Sequence, residues 1–529
     1  MDVAAHTKKQ KINGATIRIL AFVGFGTLSS GYSAAIIGTT LGQPSFSEYF
    51  ELDKRSDATA LISAMNGLFF AGSTIGVLIV PYISDRWGRK WAITVAAIVN
   101  LISGALLAGS VHVGMFLTFR FFAGASSYML LSSIPLWISE VVPPRFRAAL
   151  VDFGAVFGIM GYFIQGWIGY GFFFWKSGGL HTWRIPLALA CPWPIFLLSG
   201  IYWLPESPRW LVMQDRAAEA KEIIYRLHAD PKNPNNDYAA AEFYQTNKQL
   251  AIDRTLGNSC MDMIRKPSYR KRCYLCIATA ALIQCSGPLV INNYGPSIYK
   301  NLGFDAEKQL LYPAACITLG LGTNIIGMFT VDLFSRPWFI GTGLIGCELC
   351  LIVEAALVSN FVNTDNKSAL LAAVAMFSSS RSPTEFNSME TGTQFSYFNE
   401  LFPSHLRAKG VSIGFAVIAA MNVMWLSVTP TAFNHIGWKY YLCFIIPGTL
   451  GAICIILFFP DTMGKPLEEI GALFGDEDEV AVYQRDIVLD ANRNVLVDHA
   501  HGDDVIDDIM LEKEGKVHAE GVTRVTGDV

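Results

Sequence analysis

The sequence predicts an all-α membrane protein in which twelve transmembrane helices form two pseudo-symmetric lobes of six. Three observations carry this prediction. Hydrophobic residues make up 52% of the 529 residues and charged residues only 16%, whereas a soluble chain carries about 25% charge. The apolar residues fall into twelve windows of membrane-spanning length, six on each side of a charged central segment. Short charged motifs recur at matching places in both halves.

Each window reaches or exceeds the length of about 20 residues that a helix needs to cross a bilayer. The first half contains windows at 19–41, 60–82, 91–110, 113–138, 149–174 and 185–204. The second half contains windows at 273–298, 311–331, 338–359, 369–402, 410–432 and 439–460. The windows predict five regions: a cytoplasmic N-terminus at 1–18, an N-terminal lobe at 19–204, a cytoplasmic linker with short helices at 205–272, a C-terminal lobe at 273–460, and a cytoplasmic tail at 461–529.

The linker divides the membrane part because it is too charged to lie in hydrocarbon. It opens with Pro-Glu-Ser-Pro-Arg at 205–209 and ends with three basic residues at 270–272. A charge at the bilayer centre costs about 2.5 kcal/mol or more. The tail is acidic with few aromatic residues, so we expect it to be largely disordered.

Basic residues in the short loops predict the orientation of the chain. With the N-terminus inside, the inner short segments carry more Lys and Arg than the outer ones, and this excess is typical of cytoplasmic loops. We therefore expect both termini in the cytoplasm. The first 18 residues lack the short apolar run of a signal peptide, so the first helix is expected to insert directly.

The tenth window is irregular. Residues 378–392 contain Arg381, Pro383, Glu385 and Glu390, which is not the composition of a lipid-facing helix. One interpretation is a helix broken around an aqueous cavity. The other is an abnormal segment, such as a mistranslated exon boundary, and the regular pattern on both sides favours it.

Charged motifs at the predicted cytoplasmic helix ends repeat between the halves. Residues 85–90 read D-R-W-G-R-K, and residues 332–336 read D-L-F-S-R at the equivalent place. A glutamate follows window four and another ends window ten, and each is followed seven residues later by an arginine. Such repetition is expected for two lobes related by an axis normal to the membrane.

These motifs resemble the sugar porter family of the major facilitator superfamily, in particular its fungal branch. Five segments stand in family order: D-R-W-G-R-K at 85–90, R-F-F-A-G at 120–124, P-E-S-P-R at 205–209, E-L-F-P-S-H-L-R-A-K-G at 400–410, and P-D-T-M-G-K at 460–465. The last departs from the usual P-E-T-K-G at Asp461 and Met463. The resemblance implies the superfamily's twelve-helix fold, alternating access, and a multi-pass protein of the plasma membrane.

We interpret the charged motifs as a cytoplasmic gate that closes when the substrate site faces outward. Exposed ion pairs contribute about 0–1 kcal/mol each, which suits a switch between nearly balanced states. The alternative is that the charges only anchor loops and fix topology. The predicted gate consists of Asp85, Arg86, Arg89, Glu140, Arg147, Glu206, Arg209, Asp332, Arg336, Glu400 and Arg407.

The resemblance also implies a sugar site near mid-membrane, where hydrogen-bonding groups and an aromatic face are needed. The chain departs from the family pattern in span seven, because Ile283 replaces a glutamine and Leu289 replaces an asparagine. A polar residue in a membrane helix can instead form a helix–helix hydrogen bond. The predicted substrate residues are Gln165, Gln284, Asn292, Asn293, Asn422 and Trp425.

Energy coupling departs from the family pattern as well. Proton-coupled members carry an acid in the first span, in a Gly-Tyr-Asp motif that here ends in Ser33. Arg120 in span four therefore lacks its usual partner, and a buried unpaired guanidinium is costly. The remaining intramembrane acids are Asp152, Glu348 and Glu354. We expect facilitated diffusion, or proton coupling through a non-standard group.

The leading functional prediction is transport of a hexose, oligosaccharide or polyol, without enzymatic chemistry. The sequence contains no nucleotide loop, metal cluster or nucleophile constellation, so no cofactor or metal is expected. The expected partners are a sugar-like substrate, the lipid bilayer and, as a candidate, protons, but not nucleic acid. The alternatives are transport of another solute, such as a secondary metabolite, and a non-transporting nutrient sensor.

Overall fold

The structure is a computed structural model that describes residues 13–228, 237–287, 305–361, 383–483, 487–489 and 495–497. The first lobe contains α1 (Gly14–Leu41), α2 (Pro44–Tyr49), α3 (Ala58–Trp87), α4 (Arg89–Ala108), α5 (Val113–Val141), α6 (Arg147–Phe173), α7 (Arg184–Ala188) and α8 (Pro192–Gly200). The linker contains α9 (Pro208–Met213), α10 (Ala217–His228), α11 (Asp237–Asp253) and α12 (Cys260–Arg265).

The second lobe contains α13 (Pro267–Ile283), α14 (Ala306–Thr330), α15 (Arg336–Phe361), α16 (Pro383–Leu401), α17 (Arg407–Ile436) and α18 (Leu442–Phe458). A short antiparallel pair, β1 (Ile487–Leu489) and β2 (Val495–Val497), lies in the tail and places Ile487 opposite Val497. Single 3-10 turns connect several helices, among them Gln284–Ser286 after α13 and Ile470–Phe474 after α18.

Ten stretches of the described chain are long and apolar enough to cross a membrane. The other two expected spans correspond to α13 and α16. The seventh window continues beyond α13 into residues outside the described ranges. The polar residues Gln394, Asn399 and Glu400 are buried in α16, so these three polar groups face protein rather than lipid. Of the irregular stretch 378–392, residues 383–392 form part of this helix without a break.

Glycines allow the helices of the first lobe to pack closely. A Cβ atom at Gly31 of α1 would overlap the backbone oxygen of Gly158 in α6, and one at Gly124 of α5 would overlap the backbone oxygen of Phe69 in α3. Small residues permit such contact between membrane helices. The pairs α1–α6 and α3–α5 are accordingly the most extensively packed in the lobe.

The lobes contact each other along two equivalent helix pairs. Helix α3 packs against α17, and α6 packs against α14. These contacts leave a cavity between the lobes in the interior of the bundle.

The first part of the tail, residues 461–483, packs against the linker, whereas the tail as a whole is predicted to be largely disordered. Asp476 pairs with Arg272 at 2.6 Å and with Lys266 at 2.9 Å. Ala481 and Val482 are buried against α11. Asp476 of the tail is therefore a counter-ion of two basic residues near the end of the linker.

Candidate transport cavity and gate

A cavity of about 230 Å³ lies between the lobes and is lined by α1, α5 and α6 of the first lobe and by α13, α14, α16 and α17 of the second. It reaches the backbone where α13 ends. There a 3-10 turn runs from Gln284 to Ser286, and Gly287 adopts a left-handed conformation with φ of 83°. Helices interrupted next to a cavity are typical of transporter binding sites. Six lining residues carry larger polar groups: Tyr128, Tyr162, Gln284, Asn324, Gln394 and Asn422.

Two amide side chains in this cavity retain hydrogen-bonding capacity. Both polar atoms of Gln394 are buried and have no hydrogen-bond partner among the described residues. The Nδ2 atom of Asn422 donates to the hydroxyl of Tyr128 at 3.2 Å, while its Oδ1 atom is also buried without such a partner. A buried polar group left unpaired costs about 1–3 kcal/mol, so these atoms are suited to bind a polar ligand.

The structure separates the predicted substrate residues. Gln284 and Asn422 line the cavity. Gln165 lies in a smaller cavity of about 30 Å³, where its Nε2 atom donates to Thr39 Oγ1. Trp425 packs against Phe444, with ring centroids 4.5 Å apart, and is not a lining residue. The predicted residues Asn292 and Asn293 lie outside the described ranges.

Arg120 is met by backbone groups rather than by an acid. It is 1% exposed. Its Nη1 atom donates to the carbonyl of Ser33 and its Nε atom to that of Met65, both at 3.3 Å. The guanidinium also lies 4.4 Å from the ring centroid of Phe69. Ser33 thus contributes its backbone carbonyl to Arg120. Its hydroxyl side chain does not supply the proton-carrying acid of the family motif.

A buried ion-pair cluster closes the end of the first lobe that carries the linker, here called the linker side. Arg89 donates to both oxygens of Glu140, at 2.9 and 3.0 Å, and to Asp85 at 3.2 Å. Glu140 also accepts from the hydroxyl of Ser207 at 2.5 Å. These contacts tie α3, α4, α5 and the start of the linker together within one lobe.

Glu206 completes this cluster by capping α4. Its carboxylate accepts backbone N–H groups of Arg89 at 3.0 Å, Lys90 at 3.2 Å and Ser207 at 2.8 Å. Burial raises the pKa of Glu206, although the hydrogen bonds from Ser207 and Lys90 oppose that shift. Gly88 precedes the cap with φ of 104°, and a Cβ atom there would overlap Glu206 Oε2. The turn therefore requires glycine for both conformation and space.

The second lobe repeats this cluster. Arg336 pairs with Asp332 at 3.0 Å and with Glu400 at 3.5 Å. The backbone N–H of Arg336 donates to Asp461 at 3.1 Å, and the hydroxyl of Thr462 donates to Glu400 at 2.6 Å. Asp461 and Thr462 thus occupy the places that Glu206 and Ser207 occupy in the first lobe.

Sequence analysis missed this last equivalence. The available signal was the pattern proline, acid, hydroxyl residue, which reads Pro-Glu-Ser at 205–207 and Pro-Asp-Thr at 460–462. In both places it follows the last helix of a lobe. Arg86, by contrast, does not join the cluster, because it is exposed and donates to the hydroxyl of Tyr82 at 3.1 Å.

A separate set of contacts joins the two lobes on the linker side. Arg407 of the second lobe lies 3.7 Å from Glu140 of the first. The backbone N–H of Ala149 donates to Asp332 across the interface at 3.1 Å. Arg147 donates to the carbonyl of Lys465 at 3.4 Å. These contacts are distinct from the ion pairs within each lobe, so the lobes can separate while each cluster remains intact.

The linker and the tail add one more pair on this side. Arg209 is bonded to Glu468, and its Nη1 atom also donates to Ser404 Oγ at 3.5 Å. Burial alone would raise the pKa of Glu468, but the guanidinium groups of Arg209 and Arg147 hold it below its ordinary value. The pair fixes the linker to the tail beneath the gate.

A family model described as "Sugar (and other) transporter" matches residues 19–474. This chain belongs to that sugar transporter family. The match confirms the family that the motifs predicted. The chain is therefore a multi-pass membrane transporter.

Several transporters are similar to this sugar transporter over most of their length. The MFS-type transporter criB of Aspergillus cristatus is 29% identical over 459 residues, which cover 85% of this chain and 91% of that protein. The high-affinity glucose transporter of Kluyveromyces lactis is 26% identical over 485 residues, which cover 87% and 85%.

The fold is also similar to a solved structure, that of the proton:xylose symporter XylE from E. coli bound to 6-bromo-6-deoxy-D-glucose. The TM-score is 0.75 at 23% identity, and the match covers 87% of this chain and 99% of that one. This similarity confirms the predicted twelve-helix, two-lobed fold of the major facilitator superfamily.

In this sugar transporter, the cavity residue that sequence analysis missed most clearly is Gln394. It lies within the irregular tenth window, and charges elsewhere in that window concealed it. Tyr162 was also missed, although it lies one helical turn before Gln165 and lines the main cavity. A sequence window locates such helices but does not settle which side of the helix faces the cavity.

Proposed function

We propose that this transporter carries a monosaccharide-sized sugar or polyol across the plasma membrane by alternating access, with both termini in the cytoplasm. The observation that carries the proposal is the cavity between the lobes, into which the second lobe presents the amides of Gln394 and Asn422 with polar atoms that lack a partner among the described residues. Sugars present many hydroxyl groups, which donate to and accept from amides. The family membership and the sugar-transporting relatives agree with this substrate class.

The size of the cavity favours a small substrate. Its volume of about 230 Å³ is close to the lower end of the range of about 300–1,000 Å³ that is usual for small-molecule sites. A single sugar ring is the appropriate scale. The tyrosines at 128 and 162 supply aromatic faces against which the apolar side of a sugar ring packs.

Alternating access follows from the two kinds of contact on the linker side. Each lobe is stabilised by its own cluster, centred on Arg89 or Arg336. The two lobes are joined by a separate set of contacts, such as that between Arg407 and Glu140. Rocking of one rigid lobe against the other breaks only the second kind. The linker side is the cytoplasmic side in this proposal, so the described conformation is closed toward the cytoplasm.

A second candidate substrate class is favoured by the apolar lining. Ile159, Ile283, Ile317 and Ile418 contribute to the cavity wall, and apolar side chains suit a less hydroxylated solute such as a secondary metabolite. Competition by a panel of hexoses, disaccharides and apolar metabolites separates the two classes. Inhibition by hexoses alone supports the sugar, while inhibition only by the metabolites supports the alternative.

The direct test uses purified protein in liposomes loaded with unlabelled glucose. Exchange against external labelled glucose should be fast and should require the protein. Gln394→Ala should weaken apparent affinity by about tenfold, since losing one hydrogen bond to a ligand of about 1.4 kcal/mol corresponds to that factor. Gln165→Ala is the matched control, because that amide lies outside the main cavity. Equal effects of the two substitutions would contradict the assignment of the site.

A further inference from the structure

The carboxyl group of Asp152 lies where the two lobes meet, between the cavity and the gate. One helical turn further along α6, Ala155 lines the cavity. One turn earlier, the backbone N–H of Ala149 donates to Asp332 of the second lobe at 3.1 Å. Asp152 itself faces Gly392 of α16, where an added Cβ atom would lie 2.7 Å from Oδ1. Gly392 is also a cavity-lining residue.

Among the described residues, the one cation that faces Asp152 from the second lobe, Arg336, is shared with two other acids. Asp152 is 6% exposed, and its Oδ1 atom has no hydrogen-bond partner among the described residues. The charged groups of the second lobe that face it are Arg336, Asp332 and Glu400. Arg336 is already paired with both of those acids. The facing cluster is therefore one cation with two anions, and it does not favour a third carboxylate.

An isolated carboxylate in an apolar interior is so costly that the group takes up a proton instead. In the conformation with the lobes closed on the linker side, Asp152 is stable as the neutral acid. When the lobes part, the carboxyl becomes exposed to water, and its ionised form becomes stable. The two conformations thus differ by one bound proton.

We propose that Asp152 is a proton-binding site that couples transport to the proton gradient, in the place of the acid that Ser33 does not supply. This inference rests on the proposed alternating-access function. Closing the linker side takes up one proton, which reaches Asp152 from the cavity along Ala155 and Gly392. Opening that side releases the proton. Acid on the linker side consequently favours the closed state.

Glu348 provides a matched control. It is 2% exposed, and both of its oxygens are buried without a hydrogen-bond partner among the described residues. It lies in α15 against Gly448 of α18, and both helices belong to the second lobe. Rocking of the lobes leaves this carboxyl buried, so Glu348 is not expected to exchange its proton during the transport cycle.

The test uses full-length protein in liposomes that contain a pH-sensitive dye, with glucose as the substrate. In the wild type, adding external glucose should move protons inward, and an imposed proton gradient should drive glucose accumulation. Asp152→Asn should abolish both effects while it retains exchange of labelled for unlabelled glucose. Glu348→Gln should retain proton movement and exchange. Loss of exchange in the wild type counts against the proposed function, whereas the proton measurements test Asp152.

Three results would overturn the inference: a wild type that exchanges glucose without moving protons, an Asp152→Asn protein that still moves protons, or loss of proton movement in Glu348→Gln but not in Asp152→Asn. If Asp152→Asn does not fold, infrared spectroscopy of Glu348→Gln decides the question. A buried protonated-carboxyl band should remain at neutral pH and should change when glucose is added. A spectrum without that band refutes the assignment.

Discussion

Replacing Arg407 with glutamine should shift the transporter toward the state that is open on the linker side. Arg407 is completely buried and joins the lobes through Glu140 at 3.7 Å. Its two terminal nitrogens form no hydrogen bond to the described residues, while its Nε atom donates to the carbonyl of Asn399 in its own lobe at 3.0 Å. The substitution therefore removes a contact between lobes and little else.

The expected change in free energy depends on the hydrogen bonds that Glu140 keeps when Arg407 is replaced. Glu140 retains both hydrogen bonds from Arg89, at 2.9 and 3.0 Å, and the one from Ser207 at 2.5 Å. Arg407 and Glu140 are both buried, but loss of Arg407 leaves no unpaired carboxylate. The effect should therefore be about 1 kcal/mol, the net contribution of one intramolecular polar contact, which is well below the cost of about 3–5 kcal/mol for a broken buried pair. That energy changes the ratio of the two states about fivefold. Arg89→Gln instead breaks the main buried pair within one lobe and should destabilise the fold by about 3–5 kcal/mol.

The assay measures access to the cavity from the linker side. A cysteine replaces Ala155 in a protein without its native cysteines, and an impermeant thiol reagent is applied. Arg407→Gln should raise the labelling rate about fivefold, in line with the population shift, with little change in the unfolding temperature. Arg89→Gln should lower that temperature strongly. Unchanged labelling in Arg407→Gln, or equal loss of stability in both variants, would refute the distinction between gate and lobe contacts.

Three further predictions concern stability and are checked by thermal unfolding. Gly88→Ala should destabilise the protein by about 1–3 kcal/mol, because φ of 104° and ψ of 165° suit only glycine. Gly114→Ala is the control and should have little effect, because a Cβ atom there meets open space. Equal effects of the two substitutions would contradict this reasoning. Burial lowers the pKa of His228, but its bond to Glu242 outweighs burial, so the pKa lies above its ordinary value of 6.5. The contribution of His228 to folding stability should therefore be complete below about pH 6.5 and should be lost as the pH rises through the higher folded-state pKa. A similar pH profile of stability in His228→Gln would refute this. Ending the chain after residue 474 should lower stability, because Arg272 and Lys266 then lose their ion pairs with Asp476. Ending the chain after residue 483 keeps these pairs and should not lower stability. Equal stability of the two shortened proteins would contradict a structural role of residues 475–483.

The lobes and the paired motifs were predictable because they depend on local composition. Apolar windows locate the helices, and acids and bases at helix ends recur in both halves. The charged residues at 85, 89 and 140 were grouped correctly by this means, since all three stand at loop ends on one side of the membrane. Their contacts within 3.2 Å follow from that placement.

The cavity and the tail were less predictable, for two physical reasons. Which side of a helix faces a cavity depends on the rotation of the helix in the bundle, and the sequence does not give that rotation. Tyr162 and Gln394 line the main cavity, whereas the predicted residue Gln165 lines the smaller one. Pairs distant in sequence are not encoded locally either. Asp476 has the sequence context of a solvated acidic tail, yet it binds Arg272, which ends the linker about two hundred residues earlier.

The polar tenth helix illustrates the same limit. The composition of residues 378–392 favoured an abnormal segment. Residues 383–392 of that stretch are helical in the structure, and Gln394, Asn399 and Glu400 further along the same helix are buried. A polar residue in a membrane helix is costly when it faces lipid and is tolerated when it faces protein partners or a cavity. Hydropathy alone does not distinguish the two orientations.

The most direct test of the account is the distance between the lobes on the linker side. Spin labels at the exposed positions Arg86 and Leu333, in a protein whose native cysteines are replaced, report that distance by pulsed electron resonance. Two populations should be present, and glucose or a change of pH should alter their ratio. A single distance that neither substrate nor pH changes would contradict the rocking of two rigid lobes about a shared cavity.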